Sequence, residues 1–405
     1  MNKSRRDSSL KPAFNYQPMV ILLLVAALVI VSWLLVVEKT GQGRHHVENM
    51  SFQQSTTDTG KTSTNKTSQR VFEWKMVTAW PKNFPGLGSA PEKFSNAIEI
   101  MSKGRLKIKV YGGGELVPSL EVFSAVSQGT AEMGHAAAYY WKGKIPASPF
   151  FTAVPFGLTA QEMNGWLHYG GGLELWREAY APFNLIPFAA GNTGVQMAGW
   201  FNREINSLDD LKGLKMRIPG AGGEVFRRAG GTAVTMPGSE LYTSLQTGVI
   251  DATEWVAPYN DVALGLHEVA KYYYFPGWHE PGPTLELIIN KQAYESLPED
   301  LQKMVEIAAR YANQDMLDEY TARNNAALIE LQKNDEVELR QLPDDVLKAL
   351  HRSSDQYLKE MAQEDEMSAK VYASWKAYAD GVKNYHHISE QAYINARDLS
   401  DEKNN

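Results

Sequence analysis

From Val71 onward the chain alternates short β-patterned stretches with helical ones, and this constrains its fold more than any other feature. Residues 71–78 (VFEWKMVT) and 106–111 (LKIKVY) alternate apolar and polar side chains, as half-buried strands do. Between them, residues 90–101 space their apolar side chains at the helical period, and 119–128 read as a short helix closed by Gly129, a natural left-handed cap. A β-α-β-α order predicts a mostly parallel sheet with helices on its faces. The order then recurs. Residues 195–202 and 214–218 read as strands, 223–229 as the start of a helix, and 239–247 as a helix closed by Gly248 ahead of a short strand, 249–252. AVSQGTAE at 125–132 and SLQTGVID at 244–251 share the pattern helix, glycine, short strand, acid, an internal echo of two similar α/β lobes. Further on, Ser296, Pro298 and Glu299 read as a capping box with proline at the first helical position, opening a long amphipathic helix to about Lys333. Another helical stretch starts at Pro343 and runs to about Arg397, with a break expected near Gly381.

At 405 residues the chain is long enough for two or three domains. Its net charge of −7 argues against a nucleic-acid partner, which a basic stripe would recognise. With no cysteine there are no disulfides, thiolate metal sites or cysteine nucleophiles. The N-terminus is a separate matter. Lys3, Arg5, Arg6 and Lys11 precede an apolar run, 19–37, whose only polar residue is Ser32. At 1.5 Å per residue that run spans about 28 Å as a helix, close to the ~30 Å hydrocarbon core of a bilayer. The flanking charge places residues 1–18 in the cytoplasm. No small-residue cleavage site closes the run, which favours an uncleaved anchor over the alternative of a cleaved signal. Residues 38–70, poor in large apolar side chains, read as a flexible linker. By either route the folded part is exported to the periplasm.

Catalytic signatures are mostly absent: the sequence has no G-x-S-x-G, H-E-x-x-H or P-loop. Arg217 ends a strand just before a glycine turn and a helix, where open α/β sheets place ligands and where an anion is favoured. Its planar fork suits a carboxylate; taken alone, such a residue is more often a salt-bridge partner at the surface. Glu254 and Trp255 follow a short strand, Glu280 stands beside Trp278 and His279, and Tyr139 and Tyr140 stand at a strand end in the first lobe. Each group by itself reads as core packing.

Together these segments carry a resemblance. LKGLKMRIPG at 211–220, the helix–Gly–DATEW run at 244–255 and PGWHEPG at 276–282 resemble the extracytoplasmic solute-binding subunits of TRAP (tripartite ATP-independent periplasmic) transporters. GNTGVQMAGW at 191–200, DATEW and WHEPG are most similar to the 2-oxo-acid-binding, TakP-like group, and the likeness covers roughly residues 71–398. The resemblance implies a two-lobe periplasmic solute-binding protein fold of α/β class, with a hinge, a long connecting helix and C-terminal helices. Lobe I would be residues 71–194 with part of 284–340, lobe II 195–283, and 341–405 the C-terminal helices. It implies that Arg217 pairs with a substrate carboxylate, while Gln196, Glu254 and the backbone carbonyl of Trp255 hold a cation that a pyruvate-like 2-oxo acid chelates. Glu280 would lie against the same cation, and Tyr139, Tyr140 and Asn192 would complete the polar lining. It implies Na⁺; on charge alone Ca²⁺ is the alternative, since Arg217, two glutamates and one substrate carboxylate leave two negative charges that only a divalent ion cancels. The partners implied are the membrane subunits of the transporter and a second copy of the chain, dimerised through swapped C-terminal helices. The mechanism would be capture by lobe closure rather than catalysis.

Two rivals come from other classes. A tethered carboxylate sensor would need a signalling output, and residues 1–18 hold no such domain. A metal-dependent oxo-acid enzyme would need a general base, and only His279 lies in the matched motifs.

Overall fold

A computed structural model describes residues 70–399. The expected anchor at 19–37 and all but the last residue of the 38–70 linker lie outside the described residues, and no helix among those described is long and apolar enough to cross a membrane. Eleven strands are described: β1 (Phe72–Thr78), β2 (Leu106–Tyr111), β3 (Met133–Ala136), β4 (Leu185–Asn192), β5 (Gly199–Phe201), β6 (Lys215–Arg217), β7 (Thr232–Val234), β8 (Ala252–Thr253), β9 (Tyr272–Phe275), β10 (Thr284–Asn290) and β11 (Glu338–Gln341). They form two sheets, ordered β2-β1-β3-β10-β4 and β11-β9-β5-β8-β6-β7.

The sequence echo is a topological repeat. In the first sheet β1 pairs in parallel with both β2 and β3; in the second, β6 pairs in parallel with both β7 and β8. The helices between them correspond: α1 (Ser89–Met101) and α2 (Val122–Ser127) in one, α3 (Gly220–Arg228) and α4 (Leu241–Gln246) in the other. Gly129 and Gly248 close the second helix of each set with φ of +75° and +73°, a conformation that costs glycine little and other residues more. The chain then trades strands between sheets. Leaving β4, it crosses at 193–198 and inserts β5 between β8 and β9; leaving β9, it returns at 276–283 and inserts β10 between β3 and β4. Both inserted strands run antiparallel to their neighbours. A third link is α6 (Glu299–Leu331), which follows the short α5 (Lys291–Glu295) and leads to β11 on the edge of the second sheet. Its 33 residues span about 50 Å.

The cores follow the layers. One cluster lies between a face of the first sheet and helices α1 and α6, joining Met76, Phe94, Leu106, Leu287 and Val305. A larger one runs from the opposite face of that sheet through the second sheet to the C-terminal helices α7 (Asp344–Met361) and α8 (Glu366–Ile388), where Trp375 packs against Phe150 at 5.5 Å between ring centroids.

Several local expectations are corrected. Ser296 does not cap α6: it closes α5, its hydroxyl bonded to the Ala293 carbonyl at 2.7 Å, and Pro298 stands at the N-cap. The break expected at Gly381 is absent, because that glycine is in a helix facing open space, where its cost is only about 1 kcal/mol. The real interruptions fall at 362–365, where Asp365 caps α8 by accepting from the Ser368 N–H, and at Ser389, with φ −107° and ψ −97°. The strand expected over 195–202 is only β5, because 195–198 are spent on the crossing.

Candidate ligand and cation site

The two crossings touch. Gln196 N–H donates to the Glu280 carbonyl at 3.2 Å and Ala198 N–H to the Tyr274 carbonyl at 2.8 Å. The approach is so close that a Cβ on Gly277 would stand 2.0 Å from the Gln196 carbonyl oxygen. This contact brings Gln196 and Glu280, 84 residues apart, to a hydrogen bond of 2.8 Å between the Gln196 amide and Glu280 Oε2. Around them stand the C-terminal ends of parallel strands from both sheets: Trp80 after β1, Tyr139 and Tyr140 after β3, Arg217 ending β6, and Glu254 and Trp255 after β8. Ligands of open α/β sheets collect at such strand ends.

These side chains close around a space of only about 10 Å³, lined also by Leu87, Thr193, Val256 and Leu285. That is room for about one water, far below the ~300–1,000 Å³ of pockets for drug-sized ligands, so the side chains are nearly closed on one another. Arg217 is its positive pole, 1% exposed. Its Nη1 is paired with Glu254 Oε1, its Nε donates to the Met236 carbonyl at 3.2 Å, and its guanidinium lies 5.2 Å from the Trp255 ring centroid. Its Nη2 has no partner. Gln196 is used on one side only: its amide nitrogen donates to Thr193 and Glu280, while its buried Oε1 accepts from nothing. A buried donor and a buried acceptor left open in one cavity are costly unless a ligand satisfies them.

The negative pole is a pair of buried glutamates. Burial, then the neighbouring charge of Glu254, pushes the Glu280 carboxyl well above the usual carboxylate range, against the pull of Arg217 and of hydrogen bonds from Tyr139 and Gln196. Glu254, His279 and Glu280 each turn one potential ligand atom to within 4.8 Å of one another. His279 stands behind Glu254, with Nε2 at 3.4 Å from Oε2. The residues fit a hard cation: the open Gln196 Oε1 and two carboxylates supply oxygen.

Of the residues singled out in the sequence, Tyr139, Tyr140, Gln196, Arg217, Trp255 and Glu280 line the cavity, and Glu254 adjoins it through its bond to Arg217. Asn192 is placed differently. Its amide nitrogen donates to the Gly282 carbonyl at 3.1 Å and reaches Thr284 Oγ1 at 3.4 Å, and its Oδ1 accepts from Gly194 N–H at 2.8 Å. Its polar atoms therefore tie the two crossings together. Trp80, Leu87, Thr193, Val256 and Leu285 line the cavity without having been expected from the sequence. Thr193 lies inside the GNTGVQ segment already flagged, and Trp80 follows β1 much as Tyr139 follows β3, so position relative to a strand end was an available signal. Trp80 is fixed by an N–H donated to His135 Nδ1 at 2.8 Å; that leaves the His135 proton on Nε2, 3.1 Å from the Ala190 carbonyl, and burial lowers the histidine to about 4.

Known proteins share this architecture. A monocarboxylate 2-oxoacid-binding periplasmic protein of Nostoc sp. is 43% identical over 338 residues, 82% of this chain and 92% of its own. The crystal structure of a TRAP periplasmic solute-binding protein from Pseudoalteromonas atlantica with bound sodium and pyruvate is 42% identical, with a TM-score of 0.78, over 80% of this chain and 99% of that one. One from Colwellia psychrerythraea with bound calcium and pyruvate is 41% identical, with a TM-score of 0.79, over 81% and 100%. The profile of DctP, the bacterial extracellular solute-binding protein family 7, matches residues 76–365. With its two α/β lobes, its strand-end cavity and these relatives, the chain belongs to the DctP family of extracytoplasmic TRAP solute-binding proteins.

Proposed function

We propose that the chain captures a small 2-oxo monocarboxylate of the pyruvate class together with a cation, and hands it to the membrane subunits of a TRAP transporter. The observation that carries this reading is the pair of open groups in one cavity: Arg217 Nη2, a donor for a carboxylate, and Gln196 Oε1, an acceptor for a cation. The relatives that hold pyruvate with sodium or calcium support it. Arg217 receives the substrate carboxylate, with Tyr139 and Tyr140 beside it. Gln196, Glu254, Glu280 and the Trp255 carbonyl hold Na⁺ or Ca²⁺, which supplies positive charge to the carboxylate and keto oxygens. Trp80, Leu87 and Leu285 confine the carbon chain. The site binds; it does not turn its ligand over. Because the lining comes from both lobes and both crossings, ligand favours the closed form, in which its contacts are complete.

In the same reading, residues 1–18 are cytoplasmic, 19–37 anchor the protein to the inner membrane and 38–70 tether the lobes. Lobe I is 71–194 with part of 284–340, and lobe II is 195–283, completed by β11. Residues 341–405 form C-terminal helices through which two copies pair. The exposed Tyr385 and Ile388 on α8 and Tyr393 on α9 (Glu390–Asp398) support that pairing, as does the dimer found for a 35%-identical protein from Bordetella bronchiseptica.

The test is calorimetric titration of pyruvate into ligand-stripped protein with Na⁺, with Ca²⁺ and with neither. Micromolar or tighter binding that needs a cation and disappears in Arg217→Ala supports the assignment. No binding by a folded protein under any of the three conditions refutes it.

A further inference from the structure

Three consecutive carbonyls pass the cavity at 254–256, and two are spoken for. The Glu254 carbonyl accepts from Thr253 Oγ1 at 2.9 Å and Arg217 Nη1 at 3.4 Å; the Val256 carbonyl accepts from Met197 N–H at 3.0 Å. Among the described residues no hydrogen bond reaches the carbonyl of Trp255. The other end of that peptide is held. The Val256 N–H donates to Asp261 Oδ1 at 3.2 Å. The Trp255–Val256 bond is trans, as every described peptide is except Phe275–Pro276. In a trans peptide the N–H and C=O point in opposite directions. With its N–H turned to Asp261, the peptide must turn its oxygen away from Asp261, on a segment whose side chains line the cavity.

Asp261 is itself immobilised. It is 1% exposed, on the short helix Pro258–Ala263. Its second oxygen accepts from Tyr273 Oη at 2.8 Å and Trp200 Nε1 at 3.1 Å. Those two rings are stacked with centroids 4.1 Å apart, on the adjacent strands β9 and β5 of the second sheet. The carboxylate is thus clamped between the sheet and one peptide N–H.

We infer that Asp261 is the positioning residue of the cation site: it fixes the direction of the Trp255–Val256 peptide and, as an acceptor on its N–H, increases the negative charge on the Trp255 carbonyl oxygen. This rests on the cation-dependent binding proposed above. Partners of metal ligands act in this way elsewhere, and their loss typically costs 10–100-fold in metal affinity.

The test compares full-length wild type with Asp261→Asn and Tyr273→Phe, following pyruvate binding as Na⁺ is varied at constant ionic strength. In Asp261→Asn the half-saturating Na⁺ concentration rises at least about tenfold, while pyruvate affinity at saturating Na⁺ stays within about threefold of wild type. Tyr273→Phe removes a bond to the far oxygen only, so the melting temperature falls but Na⁺ half-saturation does not move. Trp200→Phe/Asp261→Asn removes a donor that an amide nitrogen would face, and gives the same reading if the single variant does not fold. An unchanged Na⁺ requirement in a folded Asp261 variant, or an equal change in Tyr273→Phe, overturns the inference. Cation-independent binding, or none, in wild type would instead overturn the proposed function.

Discussion

Which cation the proposed site would favour depends on one proton. Arg217 and Glu254 cancel, so a single substrate carboxylate leaves the cavity one charge negative while Glu280 stays protonated, and two when it ionises. Na⁺ neutralises the first state and Ca²⁺ the second. Burial and the charge of Glu254 favour the protonated form of Glu280. Glu280→Gln makes the uncharged state permanent. Its Ca²⁺ affinity should fall at least about tenfold while Na⁺-supported pyruvate binding persists, as parallel titrations with the two ions would register. At this scale the sequence was partly legible. Arg217, Gln196, Glu254 and Glu280 could be named from motifs, but their pairing could not, since the Gln196–Glu280 bond joins residues 84 positions apart. Asn192 stood in the right motif, yet its amide is turned to the Gly282 carbonyl; side-chain direction in an irregular crossing has no periodicity to read.

At the scale of elements, the crossings carry the site. Gly277 permits the contact between them, and Gly277→Ala would drive a Cβ into the Gln196 carbonyl. The expected result is about 1–3 kcal/mol of destabilisation and a loss of pyruvate affinity out of proportion to it, measured by denaturant unfolding and calorimetry. Strand β10 carries a second buried carboxylate, Glu286, which accepts from Trp141 Nε1 and from Tyr180 Oη at 2.9 Å. Burial raises it to about 7 from an ordinary 4.5. The folded protein therefore holds this proton more tightly than the unfolded chain, and stability falls as pH rises from about 4.5 to 7, by about 3 kcal/mol for this group. Glu286→Gln removes the charge while its Oε1 accepts from Trp141 Nε1 and its amide nitrogen donates to Tyr180 Oη. Its melting temperature should exceed that of wild type at pH 8 and approach it at pH 4.5; a difference independent of pH would contradict the assignment. The repeated helix–glycine–strand unit was visible in the sequence because its left-handed caps need glycine at 129 and 248. The exchange of β5 and β10 between sheets was not, because nothing in the strand pattern of 199–201 or 284–290 says which sheet receives it.

For the whole molecule, the proposed closure on a ligand would move two sheets linked by two strand crossings and a 33-residue helix, with the core cluster that runs through both of them. The apolar side chains left exposed on the C-terminal helices, Ile388 at 80% and Tyr393 at 67%, belong at the proposed contact with a second copy. Ile388→Glu/Tyr393→Glu should shift the protein from dimer to monomer in sedimentation with pyruvate affinity unchanged; a monomeric wild type would contradict that contact. In the proposed function one closed cavity takes carboxylate and cation together. Linkage then requires each ligand to raise the affinity of the other by the same factor, typically about 5–150-fold. The most direct measurement is Ca²⁺ affinity with and without saturating pyruvate, set against pyruvate affinity with and without saturating Ca²⁺. Wild type should give two large, equal ratios that both collapse toward one in Gln196→Ala. Ratios of one in wild type would mean that the two ligands do not share a site.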